Sequence, residues 1–133
     1  MKNEHVPEEI IERLENDRFV KFCGIELDEV RPGYGRASVK IRSHHLNGVG
    51  IIQGGLLFTL ADYAFAVAAN SRGKVAVAIE SSISFMKGIA EGILIAEAEE
   101  ISCKKTLARY DVRITNENGE MIALYHGTAF RKD

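Results

Sequence analysis

The sequence predicts an α+β fold in which a curved antiparallel sheet of five or six strands wraps around one long central helix, with a short helix at the N-terminus. Residues 54–70 are rich in alanine and leucine and are apolar on nearly every side, which is typical of a buried helix. The strands after it are joined by connections too short for parallel crossovers, which predicts antiparallel pairing. A helix that is apolar all round needs cover on most sides, and a curved sheet can supply it.

The N-terminal helix comes first in the chain. We expect it within residues 1–20, as an amphipathic helix over residues 7–20. Pro7 suits the first position of a helix, and the acidic side chains of Glu8 and Glu9 complement the positive end of the helix dipole. Four apolar residues recur near helical spacing and predict its buried face: Ile10, Ile11, Leu14 and Phe19.

Two strands and a loop separate this helix from the central one. Residues 25–31 and 36–41 favour strands, joined by a Pro-Gly-Tyr-Gly turn at residues 32–35. The loop at residues 43–50 contains a pair of histidines, His44 and His45, which we expect to be exposed to solvent. The central helix then follows at residues 54–70.

After the central helix the pattern changes to strands. Residues 74–86 are β-branched and partly alternating, and residues 93–103 alternate with Ile93, Ile95 and Ile101 facing one way. An Asn-Gly pair within residues 116–119 predicts a hairpin. Its two strands are residues 107–115 and 120–130.

Bulk properties narrow the class of function. The 133 residues fit a single domain over residues 1–133, and 46% hydrophobic with 27% charged residues is typical of a globular protein. A net charge of −2 argues against binding of nucleic acid or of an anionic membrane surface. The start is too acidic for a signal peptide, and the longest apolar stretch is interrupted by Asp62, so we expect a cytoplasmic protein without a membrane span.

Asp62 needs an explanation, because it is the only charged residue between Gly54 and Asn70. An unpaired carboxylate in a core costs several kcal/mol, so such a group is normally paired, protonated or functional. One interpretation is a brace within the core, against Thr59 one turn earlier or an arginine from elsewhere. The other is a catalytic base or nucleophile held in an apolar cleft. No second acidic residue lies in this helix to form a carboxylate pair.

The Gly54-Gly55 pair at the helix start is a second clue. Glycines let a ligand approach the backbone closely, and free N–H groups at a helix N-terminus attract an anion or a developing oxyanion. A plain turn is the alternative. Along one helix, Asp62 lies about 12 Å beyond Gly54, too far for both to serve one carbonyl. If both are catalytic, the Gly54 amide must come from another copy of the chain, which predicts a homodimer with two shared sites.

Residues 45–62, His-Leu-Asn-Gly-Val-Gly-Ile-Ile-Gln-Gly-Gly-Leu-Leu-Phe-Thr-Leu-Ala-Asp, carry a resemblance to a known family. They resemble the N-x-x-G-x-x-H-G-G-x-x-x-x-L-A-D signature of PaaI-like hotdog thioesterases, the phenylacetic acid degradation type. The likeness extends over roughly residues 20–131. It implies a hotdog fold, a homodimer that commonly pairs into a homotetramer, and hydrolysis of an acyl-CoA thioester. Phenylacetyl-CoA or a related aryl or medium-chain acyl-CoA is the expected substrate.

The same resemblance assigns catalytic roles by position. Asp62 matches the catalytic carboxylate, Gly54 the oxyanion-hole amide, and Asn47 the asparagine that orients the thioester or the attacking water. Gln53 stands where the family usually has histidine; it can hydrogen bond to substrate or water but cannot shuttle a proton near neutral pH. Gly88 is a milder departure, at a position where relatives often have proline.

Substrate contacts are predicted at Gly55, Thr59, Phe85 and Lys87. Phe85 suits the lining of an acyl or aryl pocket, although an ordinary core aromatic is an equal interpretation. Lys87 is a candidate for the CoA phosphates, as are three other basic residues that also fit a solvated surface: Arg72, Lys104 and Lys105.

We expect no cofactor beyond the coenzyme A of the substrate, and no metal. The four histidines and two cysteines lack the spacing of metal ligands. Three other interpretations remain open. One is a non-catalytic acyl-CoA binding module. The second is a hotdog dehydratase or hydratase, which would need a histidine beside the acidic residue, and Gln53 argues against it. The third is a structural oligomer without a ligand, which would leave Asp62 without a purpose.

Overall fold

The computed structural model describes residues 5–132 and begins with two short helices, α1 (Glu8–Glu15) and α2 (Arg18–Phe22). The prediction of one helix over residues 7–20 is therefore wrong. Asp17 has extended backbone angles, and its Oδ1 accepts a hydrogen bond of 3.1 Å from the backbone N–H of Val20. This side-chain cap starts a new helix, because aspartate satisfies the free N–H groups of a first turn.

Two details of the N-terminal prediction also change. Pro7 lies just before α1, at its cap position, rather than at the first helical residue. The buried face of α1 consists of Ile10, Ile11 and Leu14, as predicted, but the Phe19 side chain on α2 is 60% exposed. The part of the predicted region at residues 1–4 lies outside the described residues.

Six strands form one antiparallel sheet in the order β1-β2-β4-β5-β6-β3. The strands are β1 (Glu26–Arg31), β2 (Tyr34–Lys40), β3 (Ala76–Phe85), β4 (Ile93–Cys103), β5 (Leu107–Asn116) and β6 (Met121–Arg131). Every adjacent pair is antiparallel, which confirms the prediction. β1 and β3 are the two edge strands, and the central helix lies between β2 and β3 in the sequence.

The central helix α3 (Gly54–Asn70) has the predicted bounds. It packs against the concave side of the sheet, where small side chains allow a close approach; on β4 these are Ala96 and Ala98. Ile93 and Ile95 share a face as predicted, but that face points away from the helix. Ile101 lies at a bulge in the pairing of β4 with β5 and is 61% exposed.

The β1–β2 turn consists of Pro32 and Gly33 alone and is shorter than the predicted turn at residues 32–35. Gly33 has a φ of +78°, which favours glycine. Gly35 lies within β2 directly beneath α3: a Cβ built there would be 2.8 Å from the carbonyl oxygen of Ala64 and 2.8 Å from Cγ1 of Val67. The helix and the sheet therefore meet at a point where no side chain fits.

The length and hydropathy of the helices show whether any of them could span a membrane. Within residues 5–132, no helix is both long and apolar enough to span a bilayer. α3 has 17 residues and carries Asp62 near its middle.

Candidate active site

The N-terminus of α3 offers one free backbone donor. The N–H groups of Leu56 and Leu57 donate to the carbonyl oxygen of Gln53, at 3.0 and 3.3 Å. The N–H of Gly55 donates to the side-chain Oε1 of Gln53 at 3.4 Å. The Gly54 N–H has no acceptor among residues 5–132. It is therefore the N–H group of the first helical turn that is free to donate to a ligand.

Gln53 therefore has a structural role in addition to its predicted contact with substrate. Its side-chain carbonyl caps α3. Its backbone N–H donates to the carbonyl oxygen of His45 at 2.9 Å, which ties the start of α3 to the preceding loop. The side-chain NH₂ group is the part of Gln53 that remains for a ligand, and it can only donate.

Asn47 shapes the loop before α3. Its Oδ1 accepts hydrogen bonds from the backbone N–H groups of Val49 at 3.0 Å and Ile51 at 3.2 Å. The Asn47 N–H also donates to the Ile51 carbonyl at 2.7 Å, which closes a compact turn. With its oxygen occupied, Asn47 can meet a substrate or a water only through its side-chain NH₂ group.

His45 does not follow the prediction of an exposed loop. Its side chain is only 5% exposed, Nδ1 accepts from the Arg42 backbone N–H at 3.0 Å, and Nε2 lies 2.8 Å from the Cys23 carbonyl oxygen. These partners require the neutral ring with the proton on Nε2. Burial lowers the pKa of His45, which agrees with that assignment. His45 is a brace between the loop and α2, and the prediction failed because one of its two partners, the Cys23 carbonyl, lies 22 residues away.

A cleft brings together four of the predicted site residues. The cleft has a volume of about 310 Å³, and its lining includes Asn47, Gly54, Phe85 and Lys87. We call it the Gly54 cleft. The Phe85 side chain is 56% exposed, which excludes the interpretation as a core aromatic. The Lys87 ammonium forms an ion pair with Glu120, which lowers the pKa of that carboxyl and offsets part of the charge at the cleft.

Three of the other predicted site residues line a second pocket. This pocket has a volume of about 180 Å³. It is lined by Gln53, Gly55 and Thr59 together with residues that are mainly apolar. We call it the α2–α3 pocket; its apolar lining includes Phe19, Phe22 and Leu56. The Thr59 hydroxyl donates to the Gly55 carbonyl at 2.8 Å, so it does not brace Asp62 as one interpretation expected.

The Asp62 carboxylate is half-buried on α3, and no lysine or arginine of residues 5–132 pairs with it. Its Oδ1 accepts a hydrogen bond of 2.9 Å from the Tyr125 hydroxyl. Burial raises the pKa of Asp62; the Tyr125 hydrogen bond opposes this, and the negative charge of Asp17 adds to it. A raised pKa in a carboxylate that lacks a cation is typical of a functional group.

Tyr125 and Ser81 complete this environment, and neither was predicted from the sequence. The Tyr125 hydroxyl lies 2.8 Å from Oγ of Ser81 on β3. One signal was available: alternation along β6 points Tyr125 toward the helix, where a phenol needs a polar partner. Its partner could not be identified, because Asp62 and Tyr125 are 63 residues apart.

Gly54 and Asp62 do not meet within one chain. They are eight residues apart on the continuous helix α3, which separates them by about 12 Å along its axis. Asp62 does not line the Gly54 cleft. One chain therefore holds a free oxyanion donor and a carboxylate in two separate places.

Within residues 5–132, no group of three or more histidine, cysteine, aspartate or glutamate side chains is placed to hold a metal ion. His126 lies apart from the histidines of the loop and pairs with Asp111 on the outer side of the sheet, at 2.7 Å.

Comparison with known proteins identifies the family. Residues 49–123 match the model of the thioesterase superfamily, and this segment contains Gln53, Gly54 and Asp62. The chain belongs to the thioesterase superfamily. It is a thioester hydrolase, and its sheet wrapped around α3 is the hotdog fold of its relatives.

Three similar proteins show how far the likeness extends. A putative esterase of Archaeoglobus fulgidus is 39% identical over 117 residues, covering 87% of this chain and 76% of the relative. The acyl-coenzyme A thioesterase PaaI of Escherichia coli is 36% identical over 88% of this chain and 84% of its own; its structure superposes with a TM-score of 0.89, covering 92% of this chain and 90% of that one. A hypothetical thioesterase of Streptococcus pneumoniae, solved with coenzyme A, is 28% identical with a TM-score of 0.85, over 92% of this chain and 96% of that one.

Proposed function

We propose that the protein hydrolyses acyl-CoA thioesters in two sites, each shared between two copies of the chain. The single observation that carries this is the free Gly54 N–H and the cation-free Asp62 carboxylate on one helix, about 12 Å apart. An oxyanion donor and a base must converge on one carbonyl. A second copy can bring its Gly54 to the Asp62 of the first. The likeness to acyl-coenzyme A thioesterase PaaI supports the substrate class.

Edge strand β3 supports pairing of two copies. Its outer edge has no neighbouring strand in the sheet, and its apolar side chains Val77 and Ile79 are 46% and 59% exposed. Exposed apolar edge strands are ready to pair with another chain. In the proposed homodimer, pairing at β3 brings the two α3 helices close enough for Gly54 of one copy to reach Asp62 of the other. Pairing of two dimers into a homotetramer is part of the proposal, and its test is sedimentation of the purified protein.

In the proposed mechanism Asp62 acts as general base or as nucleophile. As base, it takes a proton from a water whose oxygen bonds to the carbonyl carbon; the C–S bond breaks, and the CoA thiolate leaves and is protonated. As nucleophile, Asp62 bonds to the carbonyl carbon while the C–S bond breaks and the CoA thiolate leaves. Water then hydrolyses the anhydride to the free acid and the Asp62 carboxylate, and the proton released goes to the thiolate. In both routes the carbonyl oxygen gains negative charge and accepts the Gly54 N–H of the other copy, where the helix dipole also helps. Asn47 orients the thioester or water through its NH₂ group.

Two pockets divide the substrate between them. The α2–α3 pocket, with Gly55, Thr59 and aromatic side chains, suits a compact aryl or medium-chain acyl group because its lining is mainly apolar. The Gly54 cleft, with Phe85 and Lys87, suits the coenzyme A portion, whose phosphates need positive charge. Coenzyme A enters as part of the substrate, and the mechanism needs no cofactor.

The test is thiol release from phenylacetyl-CoA, benzoyl-CoA, hexanoyl-CoA and palmitoyl-CoA by the wild type and by Asp62→Asn. We expect release that is fastest with one of the first three and at least about 100-fold slower in the variant. Asp28→Asn on β1 is the matched control and should leave the rate unchanged. Binding of acyl-CoA without thiol release by the wild type would make the protein a binding module. Equal release by wild type and Asp62→Asn would remove Asp62 from the reaction.

A further inference from the structure

The hydrogen bonds around Asp62 form a short chain that ends at the half-buried Ser81 on edge strand β3. The Tyr125 hydroxyl is 2.9 Å from Oδ1 of Asp62 and 2.8 Å from Oγ of Ser81. Tyr125 belongs to β6 and Ser81 to β3, and the Tyr125 side chain is 0% exposed. The three groups come from three elements, so the fold itself brings them together.

The direction of these hydrogen bonds follows from the number of protons. An ionised carboxylate only accepts, so Tyr125 must use its one hydroxyl proton toward Asp62. The Ser81 hydroxyl must then donate to the Tyr125 oxygen. Donation from Ser81 makes the Tyr125 proton a stronger donor, because hydrogen bonds in a chain polarise one another.

We propose that Tyr125, supported by Ser81, is a positioning residue for the thioester hydrolysis by Asp62. This inference rests on the proposed function. The Tyr125 hydrogen bond holds Oδ1 and fixes the orientation of the carboxylate, so that the other oxygen, Oδ2, faces the water or the carbonyl carbon. One oxygen of Asp62 is thus reserved for orientation and the other for chemistry.

The Tyr125 ring is held firmly enough for this role. Phe58 meets it edge to face with the ring centroids 5.5 Å apart, and Phe65 lies at 5.8 Å with a tilted ring. Gly127 leaves room for both rings: a Cβ built there would be 2.9 Å from Phe65 and 3.0 Å from Tyr125. A buried ring packed on two sides cannot swing away from Asp62 without opening the core.

The charges around the pair keep the Tyr125 proton in place. Burial raises the pKa of Tyr125, and the negative charge of Asp62 raises it further, so the phenol stays protonated and remains a donor. The groups that act on Asp62 are the Tyr125 hydroxyl from β6 and the Asp17 carboxylate between α1 and α2, whereas Ser81 from β3 carries no charge. Of these, only the Tyr125 hydrogen bond favours the ionised form of Asp62.

The test compares Tyr125→Phe with Tyr110→Phe. Tyr110 is a matched control, because it is equally buried on β5 and packs on Phe65, but its hydroxyl bonds to Glu100 at 3.2 Å. We expect Tyr125→Phe to lower kcat about tenfold or more with little change in KM, the effect of losing a hydrogen bond to a charged group. The acid limb of the kcat/KM profile should move to higher pH, since the interaction that lowers the pKa of Asp62 is gone. Tyr110→Phe should change neither.

Two further variants separate the possible outcomes. Ser81→Ala keeps the tyrosine and should shift kcat and the acid limb in the same direction by a smaller factor. In an Asp62→Asn background, Tyr125→Phe should cause no further loss, because it acts through Asp62. The inference is overturned if Tyr125→Phe and Tyr110→Phe behave alike, even though Asp62→Asn is inactive. Full activity of Asp62→Asn would instead contradict the proposed function.

Discussion

The ring of Phe85 lies against Gly54 at the start of α3, so close that a Cβ built on Gly54 would be 3.2 Å from Cζ of Phe85. The ring covers the glycine whose N–H has no partner within the described chain. A carbonyl that reaches this donor therefore passes beside the Phe85 ring, in the Gly54 cleft.

Replacement of Gly54 isolates the contribution of its N–H. Gly54→Pro removes the donor, and proline is tolerated at the first helical position after the extended backbone of Gln53, with φ −68° and ψ 130°. Gly54→Ala keeps the N–H and adds the same Cβ beside Phe85. We expect kcat to fall about 10²- to 10³-fold in the proline variant relative to the alanine variant. Equal rates for the two variants would show that the N–H is not the oxyanion donor.

The ion pair between Lys87 and Glu120 predicts opposite changes in KM. Lys87→Gln should raise KM for acyl-CoA about twofold to fivefold and weaken its dependence on salt, with kcat unchanged. Glu120→Gln releases Lys87 and should lower KM. Lys132→Gln is the control, because Lys132 is exposed and follows the end of β6 opposite to the one that Lys87 contacts. A KM that responds equally to all three variants would mean that Lys87 does not contact the CoA phosphates.

Asp62→Asn should stabilise the protein near neutral pH. The pKa of Asp62 is raised in the folded state, so its ionised form opposes folding above that pKa. Below the ordinary aspartate pKa of about 3.9 the group is protonated in both states and has no such effect. Thermal unfolding should show a higher Tm for Asp62→Asn at pH 7 and a difference that vanishes toward pH 3. A lower Tm at pH 7 would mean that the carboxylate is a structural brace.

The contact between α3 and β2 at Gly35 predicts a large effect on stability. A Cβ in Gly35→Ala would meet backbone and buried side-chain atoms at 2.8 Å, and overpacking of this kind costs about 1–3 kcal/mol. Gly48→Ala is the control, since nothing lies within 4 Å of a Cβ there. In urea denaturation, the free energy of unfolding of Gly48→Ala should stay within about 0.5 kcal/mol of the wild-type value. A similar small effect for Gly35→Ala would mean that the helix can move away from the sheet.

Predictions from the sequence succeeded where local pattern determines structure. α3 and its bounds followed from composition, and the position of Asp62 within an apolar helix marked it as unusual without knowledge of the fold. The hairpin of β5 and β6 followed from its Asn-Gly turn. The antiparallel sheet followed from the short connections between strands.

The predictions failed where contacts between distant residues decide. His45 is buried because its partners include the Cys23 carbonyl, 22 residues away. Tyr125 gains its role from Asp62, 63 residues away. The break between α1 and α2 did have a local signal, because Asp17 is a residue type that caps helices. The helical spacing of the apolar residues on both sides of it favoured one continuous helix instead.

Subunit complementation tests the central claim, a thioesterase site built from Asp62 of one copy and Gly54 of another. Asp62→Asn and Gly54→Pro chains are purified separately and also co-expressed in equal amounts, and thiol release is measured for each preparation. In a mixed oligomer a site is intact only when its Asp62 belongs to a Gly54→Pro chain and its Gly54 belongs to an Asp62→Asn chain. With equal amounts of the two chains and random pairing, about a quarter of all sites meet both conditions. We predict that the mixture recovers about a quarter of wild-type activity while each variant alone stays nearly inactive. A mixture as inactive as the separate variants would contradict the shared site.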